Sequence, residues 1–141
     1  MGLLDKIKWS VGIGQPQLSL TVENNQVHRG TSIKGKITLT AKDHDVVING
    51  FEVVFLQVLK EKVMNEKKKV HEMKENSVTL AKKQIPKNGM VLGTRQTHTE
   101  EFSIDISSDA PATGQMVSYF LHVKADISGL DTSDNLEIYV V

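Results

Sequence analysis

The chain has 141 residues, 39% hydrophobic and 24% charged, with 17 basic side chains against 17 acidic ones. This fits one ordinary domain with a sizeable core and excludes disorder, while the neutral balance removes the excess cations that nucleic-acid binding needs. There is no cysteine, which excludes disulfides, thiolate metal sites and a cysteine nucleophile and suits a reducing cytosol.

No apolar run approaches the roughly 20 residues of a bilayer span, so no integral membrane contact is expected. The start, Met1-Gly2-Leu3-Leu4-Asp5-Lys6, lacks the features of a signal peptide, and Lys6 stands where a myristoylation signal wants Ser or Thr. A cytoplasmic location is the expectation.

Residues 3–11 place Leu3, Leu4, Ile7 and Val11 at near-helical spacing, and Gly12, Gly14 and Pro16 end the run. A helix this short must dock to persist, and it is expected to cap one end of the core. A membrane-surface anchor using Trp9 and the two nearby lysines is the alternative.

From Gln17 the period changes to two. Leu18, Leu20 and Val22 alternate with polar residues; then Ile33, Gly35, Ile37, Leu39 and Ala41 alternate with lysines and threonines. Gly35 falls on the dry side, where a missing side chain signals a bulge or a close approach.

The middle is ambiguous. Asn49-Gly50 reads as a hairpin turn or as a bulge inside one long bent strand. Phe51 to Leu59 is apolar on both faces and suits a strand buried on both sides. Leu56, Leu59, Val63, Val70, Met73 and Leu80 also fit a three-four spacing, so pattern alone leaves residues 56–80 open to helix or strand.

Three strands come next: Phe102 to Ile106, Val117 to Ile127, and Leu136 to Val140. Several short alternating strands separated by turn residues argue for a β-sandwich or barrel.

Motifs for chemistry are sparse. Gly12-Ile13-Gly14 lacks the preceding strand and following helix of a phosphate-binding turn. His28, His44, His71, His98 and His122 show no ligand spacing. Asp126, Asp131 and Asp134 lie among Ser, Thr and Gly in an oxygen-rich turn. A calcium ion is the functional reading and a tight strand connection the structural one, which is preferred because the spacing matches no calcium loop. Lys67-Lys68-Lys69 is the densest basic run, yet between Lys60 and Glu75 six lysines face four glutamates. These lysines guard a strand edge or, in the minority reading, meet an acidic partner.

Val117-Ser118-Tyr119-Phe120-Leu121-His122-Val123-Lys124-Ala125-Asp126, after the loop Asp109-Ala110-Pro111-Ala112-Thr113-Gly114, resembles a strand of arrestin N-domains. Arg29-Gly30-Thr31-Ser32-Ile33-Lys34-Gly35 resembles a second arrestin-like signature, with Arg29 replacing the usual proline. Ser10-Val11-Gly12-Ile13-Gly14, the run from Asp126-Ile127 to Asp134, and the closing Leu-Glu-Ile-Tyr-Val-Val strand are similar to bacterial sporulation-control proteins of the stage-zero sporulation protein M type. That resemblance runs essentially end to end.

The resemblance implies an all-β fold, an arrestin-like (immunoglobulin-like) antiparallel β-sandwich with a short N-terminal helix. It would make residues 1–141 a single N-terminal domain, the first half of a two-domain protein. It also implies that residues 46–63 and 70–85 are two long antiparallel strands joined by the Asn65 to Lys69 loop. The expected function is regulatory and non-enzymatic, binding other proteins without a cofactor, and association of two copies through strand edges is expected. The alternative is a calcium-dependent ligand- or carbohydrate-binding sandwich using Asp126, Asp131 and Asp134.

Overall fold

The computed structural model describes residues 15–129 and 131–141. The expected helix over residues 3–11, with Trp9 and the Gly12-Gly14 segment, lies outside them. Among the described residues the chain forms strands, turns and loops, with no helix.

Among the described residues eight strands make two sheets. The smaller has the order β1 (Gln17–Val22), β3 (Ser32–Thr40), β6 (Thr97–Asp105) and is antiparallel throughout. The larger has the order β2 (Gln26–Val27), β8 (Thr132–Val140), β7 (Val117–Ile127), β4 (Val46–Asn65), β5 (Val70–Leu92). Its pairs are antiparallel except β2 with β8, a two-residue parallel bridge that alternation does not reveal.

The inward residues of each strand meet between the sheets. Ile33, Ile37 and Leu39 of β3 and Ile104 of β6 are buried in one core with Val53 and Phe55 of β4, Leu121 and Val123 of β7, and Ile138 of β8. Period-two patterning of this kind fits one face of each sheet packed and the other facing solvent. Tyr119 stacks on Phe55 at 5.5 Å between ring centroids, and its hydroxyl donates to the Pro111 carbonyl at 2.6 Å. That contact pins the proline-containing loop to the core.

The ambiguous middle is two strands, and residues 56–80 are not a helix. Asn49-Gly50 is a bulge inside β4: the pairing shifts between Ile48 and Gly50 against both neighbours. Opposite it β5 carries an excursion at Lys87, Asn88 and Gly89, the last two with φ of 53° and 80°. A Cβ on Gly50 would lie 3.0 Å from the Ile85 carbonyl oxygen, so any larger residue at the bulge would push the β5 backbone by a few tenths of an ångström.

One expectation is corrected. Phe51 to Leu59 is not buried on both sides: Phe51, Val53 and Phe55 are buried, while Val54, Leu56 and Val58 are half-buried and Leu59 is exposed. Only one face of the larger sheet meets the smaller one. β5 also runs past the expected end at residue 85, to Leu92.

Candidate functional site

β4 and β5 outgrow the sandwich. The pairing of β4 with β7 ends at Leu59 opposite Val117, and Lys60 N–H donates to the Met116 carbonyl at 2.9 Å. Beyond that point, among the described residues, Glu61 to Asn65 and Val70 to Lys74 pair only with each other. The result is a two-stranded arm, about 20 Å long at the usual rise per residue.

Local chemistry closes its tip. Asn65 accepts from Lys68 N–H through its side chain at 3.1 Å and from Lys69 N–H through its carbonyl at 2.7 Å. Its amide also donates to Glu72 Oε1 at 3.1 Å. Lys69 takes the left-handed conformation, φ 55°, that ends the turn. Lys60 and Glu75 pair across the strands at 3.8 Å, and Lys68 pairs with Glu72 at 3.7 Å. These exposed pairs contribute little each and mainly set register.

The arm also shows apolar surface: Met64, Val70 and Met73 are each about half exposed. Two-stranded hairpins are marginal in water, so an arm with wet faces and exposed methionines gains by being covered. β5 is the outermost strand of its sheet, and nothing among the described residues pairs with its outer edge. That edge has two parts. Leu80 is an extra residue between Thr79, opposite Leu56, and Ala81, opposite Phe55. The run Val70–Thr79 is therefore regular, and the remainder of the strand is broken again at Pro86.

Lys67, Lys68 and Lys69 therefore sit together at the arm's tip, exposed. The three aspartates are not drawn into one cage. Asp126, in β7, is exposed. Asp131 accepts from Ile127 N–H at 3.3 Å and lies 3.7 Å from the Lys124 ammonium. Asp134 accepts from Leu20 N–H at 3.1 Å, tying β8 to β1 across the sandwich, and from Asn135 N–H at 2.9 Å. Among the described residues no group of three or more His, Asp and Glu side chains is placed to hold a metal ion.

A second polar cluster escapes pattern reading. On the side of the sandwich between β5 and β6, Glu100 Oε2 accepts from Lys87 Nζ and from His98 Nε2, each at 2.7 Å. His98 stacks on Phe51 at 6.0 Å. Burial opposes the charge on Glu100, but the hydrogen bonds and charges of Lys87 and His98 outweigh it and hold the carboxyl below its ordinary range. Lys87 and Glu100 belong to different sheets, so this cluster clasps one open side as Asp134 clasps the other. One signal was present: His98 and Glu100 share the parity of the inward residues Phe102 and Ile104.

The fold and the arm define a β-sandwich with an extended edge-strand hairpin. A family model described as SpoOM protein (Spo0M) matches residues 4–141. The chain belongs to the Spo0M family. Among solved structures it is similar to the crystal structure of Spo0M, sporulation control protein, from Bacillus subtilis, with 16% identity and a TM-score of 0.75. The match covers 90% of this chain and 49% of that one, so this chain spans about half the length of that relative. No curated protein matches the sequence. The likeness carries the fold expected from the sequence, a β-sandwich. No helix among the described residues is long and apolar enough to cross a membrane.

Proposed function

We propose that this chain is a non-enzymatic regulator of sporulation control, acting in the cytoplasm by taking extended segments of other proteins onto the outer edge of β5. The observation that carries the reading is the β5 edge: regular from Val70 to Thr79 and without a strand partner among the described residues, with its first part, Val70 to Lys74, held clear of the sandwich on the arm. Such an edge recruits an extended peptide through main-chain hydrogen bonds. Family membership supports the regulatory part of the reading. The polar clusters fit structural work better than catalysis, because Glu100 and Asp134 spend their acceptors joining the two sheets.

Shortening the arm tests this. Leu59 and Asn76 are opposite each other, so residues 60–75 can be replaced by an Asn-Gly turn without touching the core. The shortened protein should fold, keep its melting temperature within a few degrees, and fail to restore sporulation in a host lacking the native copy. Restoration at the native level would sink the proposal.

A further inference from the structure

We infer that the arm docks by one face on the surface of an anionic lipid bilayer. The inference goes beyond the strand-accepting edge of β5 and does not depend on it.

The two faces of the arm differ. Phe51, Val53 and Phe55 are buried in the core, so the alternating residues Lys60, Lys62 and Met64 of β4 lie on the opposite, solvent face. Their partners on β5, Glu75, Met73 and His71, share that face. Met64 and Met73 are diagonal neighbours there, roughly 7–8 Å apart, and each is about half exposed. On this face two lysines stand with one glutamate. The other face sets Glu61 opposite Lys74 and Val63 opposite Glu72, two carboxylates with one ammonium.

Positive charge gathers toward the tip. From Lys62 to Lys74 five lysines stand against two glutamates, whereas the whole chain is balanced. The rest of the molecule therefore carries the compensating negative excess, and this separation turns the arm toward an anionic surface. Lys60 pairs with Glu75 and Lys68 with Glu72. Lys62, Lys67 and Lys69 are exposed and outside any ion pair among the described residues.

The methionines decide which anionic surface fits. A partner that offers charge alone would satisfy the lysines and leave Met64 and Met73 in water. A bilayer presents phosphates at one depth and hydrocarbon just beneath them. Flexible, unbranched side chains such as Lys and Met reach both layers without a shaped pocket. The cytoplasmic leaflet is anionic and attracts basic segments of this kind. With the solvent face down, the outer edge of β5 looks sideways along the bilayer, and its main-chain groups stay free for an extended peptide.

Cosedimentation of the full chain with vesicles tests the inference. The protein should pellet with phosphatidylcholine vesicles containing phosphatidylglycerol, remain in solution with phosphatidylcholine alone, and bind less as salt is raised. Lys67→Gln/Lys68→Gln/Lys69→Gln should keep the native melting temperature and weaken binding roughly a hundredfold, at about fivefold per lysine. The absence of cysteine lets a single polarity-sensitive dye report depth. On Met64→Cys it should brighten and shift to the blue with anionic vesicles. On Ser103→Cys, exposed on the solvent face of the smaller sheet, it should not respond. Excess soluble glycerol phosphate should not release the protein. No pelleting with anionic vesicles, equal dye responses at the two positions, or full binding by the lysine variant overturns the inference. Release by glycerol phosphate overturns it too, because the arm would then hold a free phosphate. None of these outcomes touches the edge of β5, whose test is the shortened arm.

Discussion

Phe102 lies directly across from Gly35 in the β3–β6 pair, and its ring occupies the space a side chain at Gly35 would need. A Cβ there would stand 2.6 Å from the ring's Cζ and 2.8 Å from the Thr21 carbonyl oxygen. The glycine thus lets an aromatic ring and the β1 backbone close over β3 together.

Gly35→Val should therefore destabilise the protein by about 1–3 kcal/mol, the usual cost of overpacking, and more if the β1 backbone must move. Lys34→Val, next to it on the exposed face, should stay within about 0.5 kcal/mol. Urea melts of the two variants make the comparison. Equal losses would mean that the inward face of β3 has been assigned backwards.

The Lys87–Glu100–His98 clasp predicts an acid dependence. The Glu100 carboxyl is held below its ordinary 4.5 in the folded state, so below 4.5 the unfolded chain takes up the proton first. The stabilisation is present in full above 4.5 and is lost as pH falls from there through the lowered folded value. Glu100→Gln should cost on the order of 1 kcal/mol near neutrality and flatten the decline in stability over that acid window. A decline of unchanged steepness would remove Glu100 from the explanation.

Tyr119→Phe removes a buried hydroxyl that donates to the Pro111 carbonyl and accepts from Gln57 Nε2 at 3.1 Å. Two partners are left short, so a loss of about 1–3 kcal/mol is expected, with faster amide exchange in the loop around Pro111. Hydrogen exchange unchanged there would show that the loop is held by something else.

Asp134→Ala should lower stability by about 1 kcal/mol, because Leu20 N–H loses its acceptor at the β1–β8 side. Millimolar calcium should not raise the melting temperature of the native protein, given that Asp131 and Asp134 are already bonded to backbone amides. A rise of several degrees that vanishes in Asp131→Asn would turn this connection into a metal site.

Much of this architecture is legible in residue order alone. Where one face of a strand is dry and the other wet, as in β3 or β7, the period of two appears in the letters, and the inward set Ile33, Ile37, Leu39 or Tyr119, Leu121, Val123 emerges directly. The close approach at Gly35 shows in the same way, as a gap in an apolar series. The arm hides its structure because both its faces are wet. Without a dry side, hydrophobicity has no reason to alternate, and lysines and glutamates scattered through residues 60–75 mimic an amphipathic helix.

Only the folded chain decides what lies between elements distant in sequence. Asn49-Gly50 is a bulge rather than a turn because β5 and β7 flank β4 there on both sides, leaving no room for it to fold back. Lys87 and Glu100 become partners because two separate sheets stack, and Asp134 finds Leu20 for the same reason. The outer edge of β5 is an edge only because four other strands lie to one side of it. Periodicity records which way a side chain faces along its own strand; which strand it faces, and which strand faces none, is set by long-range packing that no local pattern encodes.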